Sequence, residues 1–359
     1  SLKHSYLKGS STALYGILGE PYKTKLPYTF TDAYGKINVS SNNGSKINLF
    51  GFSFNDRVNY QNTSDLEWKS YGGGTNFVLT PGASSSIISG GFYYSDYKIG
   101  LKEADNKPRE SEINGFDANV KVTTYFDNHS ELNYGVEFTG FKTAYQYYNF
   151  IGILQEQNDY TTQIGAFVKL KKNFGERFVL EPGVRIQYYA SLPVTRLEPR
   201  LAMKLNLTEK VRLKAATGMY SQNIISSKSD RDIVNFFTGF LTAPDFEIQN
   251  PDGTYANNNI QKAYHIIGGI EVDVNDLEFT VEPWYKYFGQ LITINRYKLF
   301  PTDPDFSIET GKAYGVDFTT KYSKGRYYFW GVYSYGYVDR NDGRQTYPTP
   351  FDRRHNINL

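Results

Sequence analysis

Segments of roughly ten to fourteen residues along this chain alternate apolar with polar side chains, a two-residue period that only extended strands produce. The connections between them come in two kinds that never exchange order. Short turns fall at 41–45, 80–85, 126–130, 173–176, 208–210, 275–276 and 323–325. Long polar loops fall at 55–66, 98–112, 146–159, 190–196, 223–263, 293–310 and 338–352. An antiparallel barrel in a bilayer has this rhythm, with tight turns at one rim, long loops at the other and one apolar face per strand.

The strand 131–141 sets Leu132, Tyr134, Val136 and Phe138 against Glu131, Asn133, Glu137 and Thr139. Residues 177–188, 197–207 and 277–287 repeat the pattern, with Leu201 and Phe279 among the apolar set. Full charges occupy the centres of the other faces, which a dry core would not accept. Glu181, Arg185, Glu198, Arg200, Glu278, Glu282, Lys286 and Asp317 are therefore expected to line a polar lumen. About sixteen strands are expected, counting one at 12–19 and a partial one at 354–359. Pro182, Pro199 and Pro283 fall inside strand patterns and call for bends or bulges, because proline removes a ladder donor. Aromatics crowd the long-loop ends at Phe92, Tyr93, Tyr94 and Tyr97, at Tyr145, Tyr147 and Tyr148, and at Tyr188, Tyr189, Tyr285 and Tyr287. That placement suits an interfacial girdle on the extracellular side.

A mean hydropathy of −0.52 reads superficially as a water-soluble protein, but lumen faces and loops depress the average of any barrel. No stretch resembles a membrane-spanning helix; the charge-free run 70–95 contains Gly72–Gly74, Pro81 and Gly82 and reads as two strands and a turn. Gly72–Gly74 are expected to ease barrel curvature. Cysteine is absent, which excludes disulfides and thiol chemistry. Net charge is only +2 and the basic residues are interspersed with acids, so a nucleic-acid stripe is not indicated. His4, His129, His265 and His355 show no ligand spacing. No phosphate loop, dinucleotide fingerprint or serine elbow occurs, and neither catalysis nor a cofactor is expected. Glu278 and Glu282 share a strand face and read as lumen lining rather than a catalytic pair. Asp245, Glu247, Asn250 and Asp252 could hold calcium, but 250–253 (Asn-Pro-Asp-Gly) reads more readily as a turn.

The longest loop, 223–263, carries Asp230, Arg231, Asp232, Phe236, Phe237, Phe240, Phe246 and Tyr255. A connection of that length is usually functional or disordered. It suits either of two roles, gripping a ligand or capping the barrel mouth, with a helical turn or two at 230–240. Tyr145, Tyr147, Asp230, Arg231, Phe236 and Phe237 are the candidate ligand contacts.

Three stretches resemble a known family. Leu197-Glu198-Pro199-Arg200-Leu201, Ala313-Tyr314-Gly315-Val316-Asp317-Phe318 and the final 347–359, with Asp352-Arg353-Arg354-His355, are similar to strands of Bacteroidota TonB-dependent outer-membrane receptors, the group that includes SusC-like proteins. The resemblance implies an all-β transmembrane barrel of about 22 strands, closed in the whole protein. It also implies uptake of a siderophore, glycan or peptide through a plugged lumen. Implied partners are outer-membrane lipid, the plug domain, TonB and a SusD-like or other surface lipoprotein. Residues 1–359 read as a partial barrel domain, with the plug and the last strands expected outside this segment. A non-transporting barrel serving as a structural subunit of an outer-membrane complex is the alternative.

Overall fold

The computed structural model describes residues 2–5, 28–60, 63–82, 84–105, 107–149, 151–227, 237–250, 252–295, 297–349 and 352–359. The strand expected at 12–19 lies outside them, as do Asp230, Arg231 and Phe236. The described residues form β1 (Leu2–Ser5), β2 (Tyr28–Ser40), β3 (Lys46–Tyr60), β4 (Ser64–Leu79), β5 (Ser86–Glu103), β6 (Arg109–Tyr125) and β7 (Glu131–Tyr148). There follow β8 (Leu154–Phe174), β9 (Phe178–Tyr189), β10 (Val194–Asn206), β11 (Val211–Gln222), β12 (Ile224–Ser226) and β13 (Phe240–Thr242). The series ends with β14 (Gln261–Val274), β15 (Leu277–Ile294), β16 (Phe306–Lys324), β17 (Tyr327–Asn341), β18 (Thr346–Pro348) and β19 (His355–Asn358).

Every ladder is antiparallel. From β1 to β11 each strand pairs with the next, β11 passes to β14, and the meander continues to β17. β18 and β19 lie end to end along the far edge of β17. β12 and β13 form a separate two-stranded sheet within the β11–β14 connection. Among the described residues no ladder joins β18 or β19 to β1. Among the described residues no helix is long and apolar enough to cross a membrane.

Polarity in the lower part of the sheet, toward the tight turns, is the reverse of a water-soluble protein. Val136 is 58% exposed and Leu197 57%, while Asn133 is 8% exposed and Glu198 4%. Phe279 is exposed as well, and Leu132 and Leu201 are half-buried on the same apolar face. Burying apolar atoms drives folding in water at about 25 cal/mol per Å². A sheet that turns apolar chains outward and pairs polar ones inward is therefore built for a hydrocarbon solvent.

The structure changes or refines five sequence expectations. The loops at the long-loop rim are mostly short: 61–63, 104–108, 149–153, 190–193 and 342–345, with only 223–260 and 295–305 truly long. The strands instead continue upward, β8 reaching 21 residues, well past the about 9–11 that a bilayer requires. The prolines cause no register shift. Pairing is interrupted beside them: the β8–β9 ladder skips the pair opposite Pro182, the β14–β15 ladder skips that opposite Pro283, and the β10–β11 ladder stops one residue short of Pro199. A missing N–H leaves a gap in one ladder without displacing the chain. Gly72 and Gly74 make room for rings, since a Cβ would lie 2.9 Å from Phe52 Cζ and 2.8 Å from Tyr93 Cδ1. The rim aromatics do not form one girdle, because alternation splits three of the four clusters between the two faces. Phe92, Tyr94, Tyr188 and Tyr285 are exposed, whereas Tyr145 and Tyr189 are buried. Finally, most of the helical turn expected at 230–240 lies outside the described residues, and 237–240 run without helix into β13.

Candidate functional site: the capped mouth

Above the apolar belt both faces of β3–β7 change character. On the outer face, Phe92, Tyr94, Val136 and Phe138 give way to Asp65, Glu67, Lys69, Lys98, Glu110 and Glu112. On the inner face, Asn48, Asn76, Thr123 and Asn133 give way to Val58, Leu66, Trp68, Ile99 and Tyr145. Polarity inverts at one level. Below it the outer surface suits lipid, and above it the strands behave like those of a water-soluble domain with its core inside.

The 223–260 connection supplies the other half of that core. Ile225, Phe237, Leu241, Ala243 and Ile248 pack against Leu66, Ile99, Tyr145, Ile292, Phe306 and Ile308. A buried side chain of this size contributes about 1.5–3 kcal/mol. A bulge between Phe288 and Leu291 shifts the β15 register so that Ile292 sits opposite Ile308 within this core. Tyr97 meets Phe240 edge-on at 5.9 Å, and Phe246 contacts Phe306 at 6.2 Å.

Polar side chains of the wall then hold the cap backbone. Gln157 acts as a substitute strand: its Nε2 donates to Thr242 O at 2.9 Å and its Oε1 accepts from Thr242 N at 3.0 Å. Thr242 Oγ1 donates to Asp159 at 3.1 Å, and Phe240 N donates to Ser111 Oγ at 2.9 Å. Gln163 donates to Asn223 at 2.6 Å, and Gln261 donates to Ile224 O at 2.7 Å. Gly239 threads between Ser227, Tyr145 and Ser111, where a Cβ would lie 2.7 Å from Ser227 Oγ. The loops beside the cap also meet. Lys298 Nζ donates to Pro301 O, Asp303 O and Asp305 Oδ1, while Asn149 donates to Lys298 O at 3.0 Å and Gln155 to Asp305 at 3.2 Å.

Of the expected ligand contacts, the fold brings Tyr145, Tyr147 and Phe237 together, with rings 6.2–6.4 Å apart. They lie within the cap–wall core, Tyr145 4% and Phe237 3% exposed. Arg109 covers Tyr147 at 5.4 Å. The sequence reading passed over Ser111, Gln157, Asp159 and Gln163, because polar residues on alternate strand positions carry no mark of a partner distant in the chain.

The expected lumen charges lie on the polar face, mostly in pairs. Arg185 donates to both oxygens of Glu137 at 3.2 Å, and Lys169 to Glu181 at 3.0 Å. Buried Glu198 accepts from Ser221 N, Ser221 Oγ and Arg200, whose guanidinium lies 4.6 Å from the Tyr220 ring centre. Glu278 faces Lys321 at 3.9 Å, Glu282 sits opposite Asp317 in register, and Lys286 lies 5.7 Å from Trp284. Glu271, Asp273 and Glu278 converge within 4.8 Å, but Arg212 and Lys214 already pair with this cluster, which makes it an ion-pair knot. In the cap, Asp252 accepts from Thr254 N and Oγ1, which holds its carboxyl below the ordinary carboxylate range. With Gly253 at φ +86° this is a turn, and its carboxylate is already engaged.

No family model and no curated protein matches this chain. Solved structures do. A mutant hemophore receptor HasR of Serratia marcescens, in complex with its hemophore HasA and heme, superposes with a TM-score of 0.66 at 13% identity, over 93% of this chain and 58% of its own. The alcaligin outer-membrane receptor FauA of Bordetella pertussis gives 0.63 at 10%, over 92% and 56%. FpvA of P. aeruginosa, bound to heterologous pyoverdines, gives 0.63 at 11%, over 87% and 49%. This chain thus spans about half the length of the structures it matches. Those neighbours are TonB-dependent outer-membrane receptors, and the fold described above is that of their β-barrel.

Proposed function

We propose that this chain is barrel from a TonB-dependent outer-membrane receptor that imports a bulky nutrient, a siderophore, glycan or peptide, through a plugged lumen. The carrying observation is the single level at which both faces of β3–β7 invert polarity, with an apolar belt outside and a polar wall of Asn48, Asn76, Thr123 and Asn133 inside below it. The plug would occupy that wall, TonB would supply the energy, and a SusD-like or other surface lipoprotein would sit at the loop rim, as in the Bacteroidota branch. The role is that of a receptor and not of an enzyme. Fractionation of the full-length protein tests the location: it should enter the outer membrane, require detergent for extraction and migrate on gels in a heat-modifiable way. Deletion of its gene should abolish growth on one nutrient of these classes.

The packed cap favours a second reading, a non-transporting structural subunit, because a mouth closed by a buried core has less need of a ligand. Under that reading deletion leaves uptake unchanged, while a larger outer-membrane complex loses other members.

A further inference from the structure

The cap also has an outer surface, and its chemistry is one-sided. From Phe237 to Gln261 there is no lysine or arginine, while Asp245, Glu247 and Asp252 are all acidic and exposed. Beside them stand two large aromatics, Phe246 at 51% and Tyr255 at 57% exposed. This is an ordered projection. Gln249 and Tyr255 form an antiparallel bridge, Asn250 N donates to Thr254 O at 2.7 Å, and Ala256 N donates to Ile248 O at 3.0 Å. Asn259 clamps its base by donating to Pro244 O and Phe246 O, and Ile248 and Ile260 anchor it in the interior.

Large aromatics held out on a rigid, anchored hairpin form the kind of apolar surface that marks an interaction site. Charge decides what can cover it. The phosphates of a lipid headgroup would be repelled by the three carboxylates, and a second copy would bring the same charge to the same face. A free divalent cation would find Asp252 already committed to Thr254.

We propose that the outer face of the 245–256 hairpin docks a cationic polypeptide segment, whose apolar side chains cover Phe246 and Tyr255 while its lysines or arginines meet Asp245 and Glu247. Arginine stacking on an aromatic face would add to both contacts. The proposal rests on the reading that this rim lies outside the cell, but binding to detergent-purified protein does not require that reading. Failure to bind and failure to reach the outer membrane are therefore separate results.

The test is fluorescence anisotropy with a labelled Arg/Trp nonapeptide and an analogue carrying Glu at every Arg position, on the full-length protein in detergent. Asp245→Asn with Glu247→Gln should weaken peptide binding about five- to tenfold, as expected for a few interfacial charge pairs. Tyr255→Ser should weaken it by a similar factor, and added salt should abolish the charge-dependent part. All three side chains are exposed, and heat-modifiable migration checks that the variants remain folded. Equal binding of the acidic analogue, equal binding by the charge-neutral variant, or displacement by calcium alone would each overturn the proposal. So would peptide-independent self-association through this face.

Discussion

Replacing Gln157 by leucine should unlatch the cap without unfolding the strands beneath it. The Gln157 amide is the hydrogen-bond partner of both Thr242 N and Thr242 O, and Thr242 is only 1% exposed. Leucine keeps the volume but leaves a buried donor and a buried acceptor unpaired, at about 1–3 kcal/mol each, so about 2–6 kcal/mol in all. At about 1.4 kcal/mol per factor of ten, opening of the cap should become roughly thirty- to twenty-thousand-fold more frequent. Hydrogen exchange in detergent reads this directly: the Phe240, Thr242 and Ala243 amides should accelerate by that factor, while amides of the β6–β7 ladder stay unchanged. Gln157→Glu provides an internal control, because a carboxylate still accepts from Thr242 N but cannot donate to Thr242 O. It should fall between wild type and leucine. If Gln157→Leu leaves the Thr242 amide within about threefold of wild type, the side chain is not a latch and the cap is held by apolar contacts alone.

Three further outcomes follow from the same geometry. Val136→Arg, on the exposed apolar face, should destabilise the lipid-refolded protein by about 2–4 kcal/mol if the site lies near the bilayer midplane; a surface substitution in water would change stability by only about 0.5 kcal/mol, so a denaturant titration in vesicles separates the two environments. Gly239→Ala should loosen the cap by about 1–3 kcal/mol, because the added methyl meets Ser227, Tyr145 and Ser111, and limited chymotrypsin digestion should then cut within 237–260 while wild type resists. Backbone N–H groups of Phe300 and Leu299 hold the Asp303 carboxyl below its ordinary range. Its folded pKa lies beneath the unfolded one, so the stabilisation is complete above the ordinary value of about 4 and disappears as pH falls through the folded pKa. Protection of those two amides, relative to intrinsic exchange, should decline over that window in wild type and show no such decline in Asp303→Asn.

The strand period, the tight turns and the division between an apolar and a charged face were legible locally, because alternate side chains on a strand must take opposite sides. Leu132 and Val136 share the exposed apolar face of β7, and Glu181 and Glu198 alternate with apolar neighbours on β9 and β10. Strand length was not legible. The upper ends of β3–β8 looked like polar loops because their outer faces carry residues such as Asp65, Lys98 and Glu112, as a loop would. Their inner apolar residues, Leu66, Ile99 and Tyr145, looked like rim aromatics and stray hydrophobics until Phe237 and Leu241 were seen to pack against them. Nor could the chain order show that Gln157 bonds Thr242 across 85 positions. A two-residue rhythm says which side chains share a face, but not what medium touches that face. In this molecule the same inner face carries paired charges below and meets the folded segments 223–227 and 237–260 above, and only their three-dimensional return onto the wall determines where one ends and the other begins.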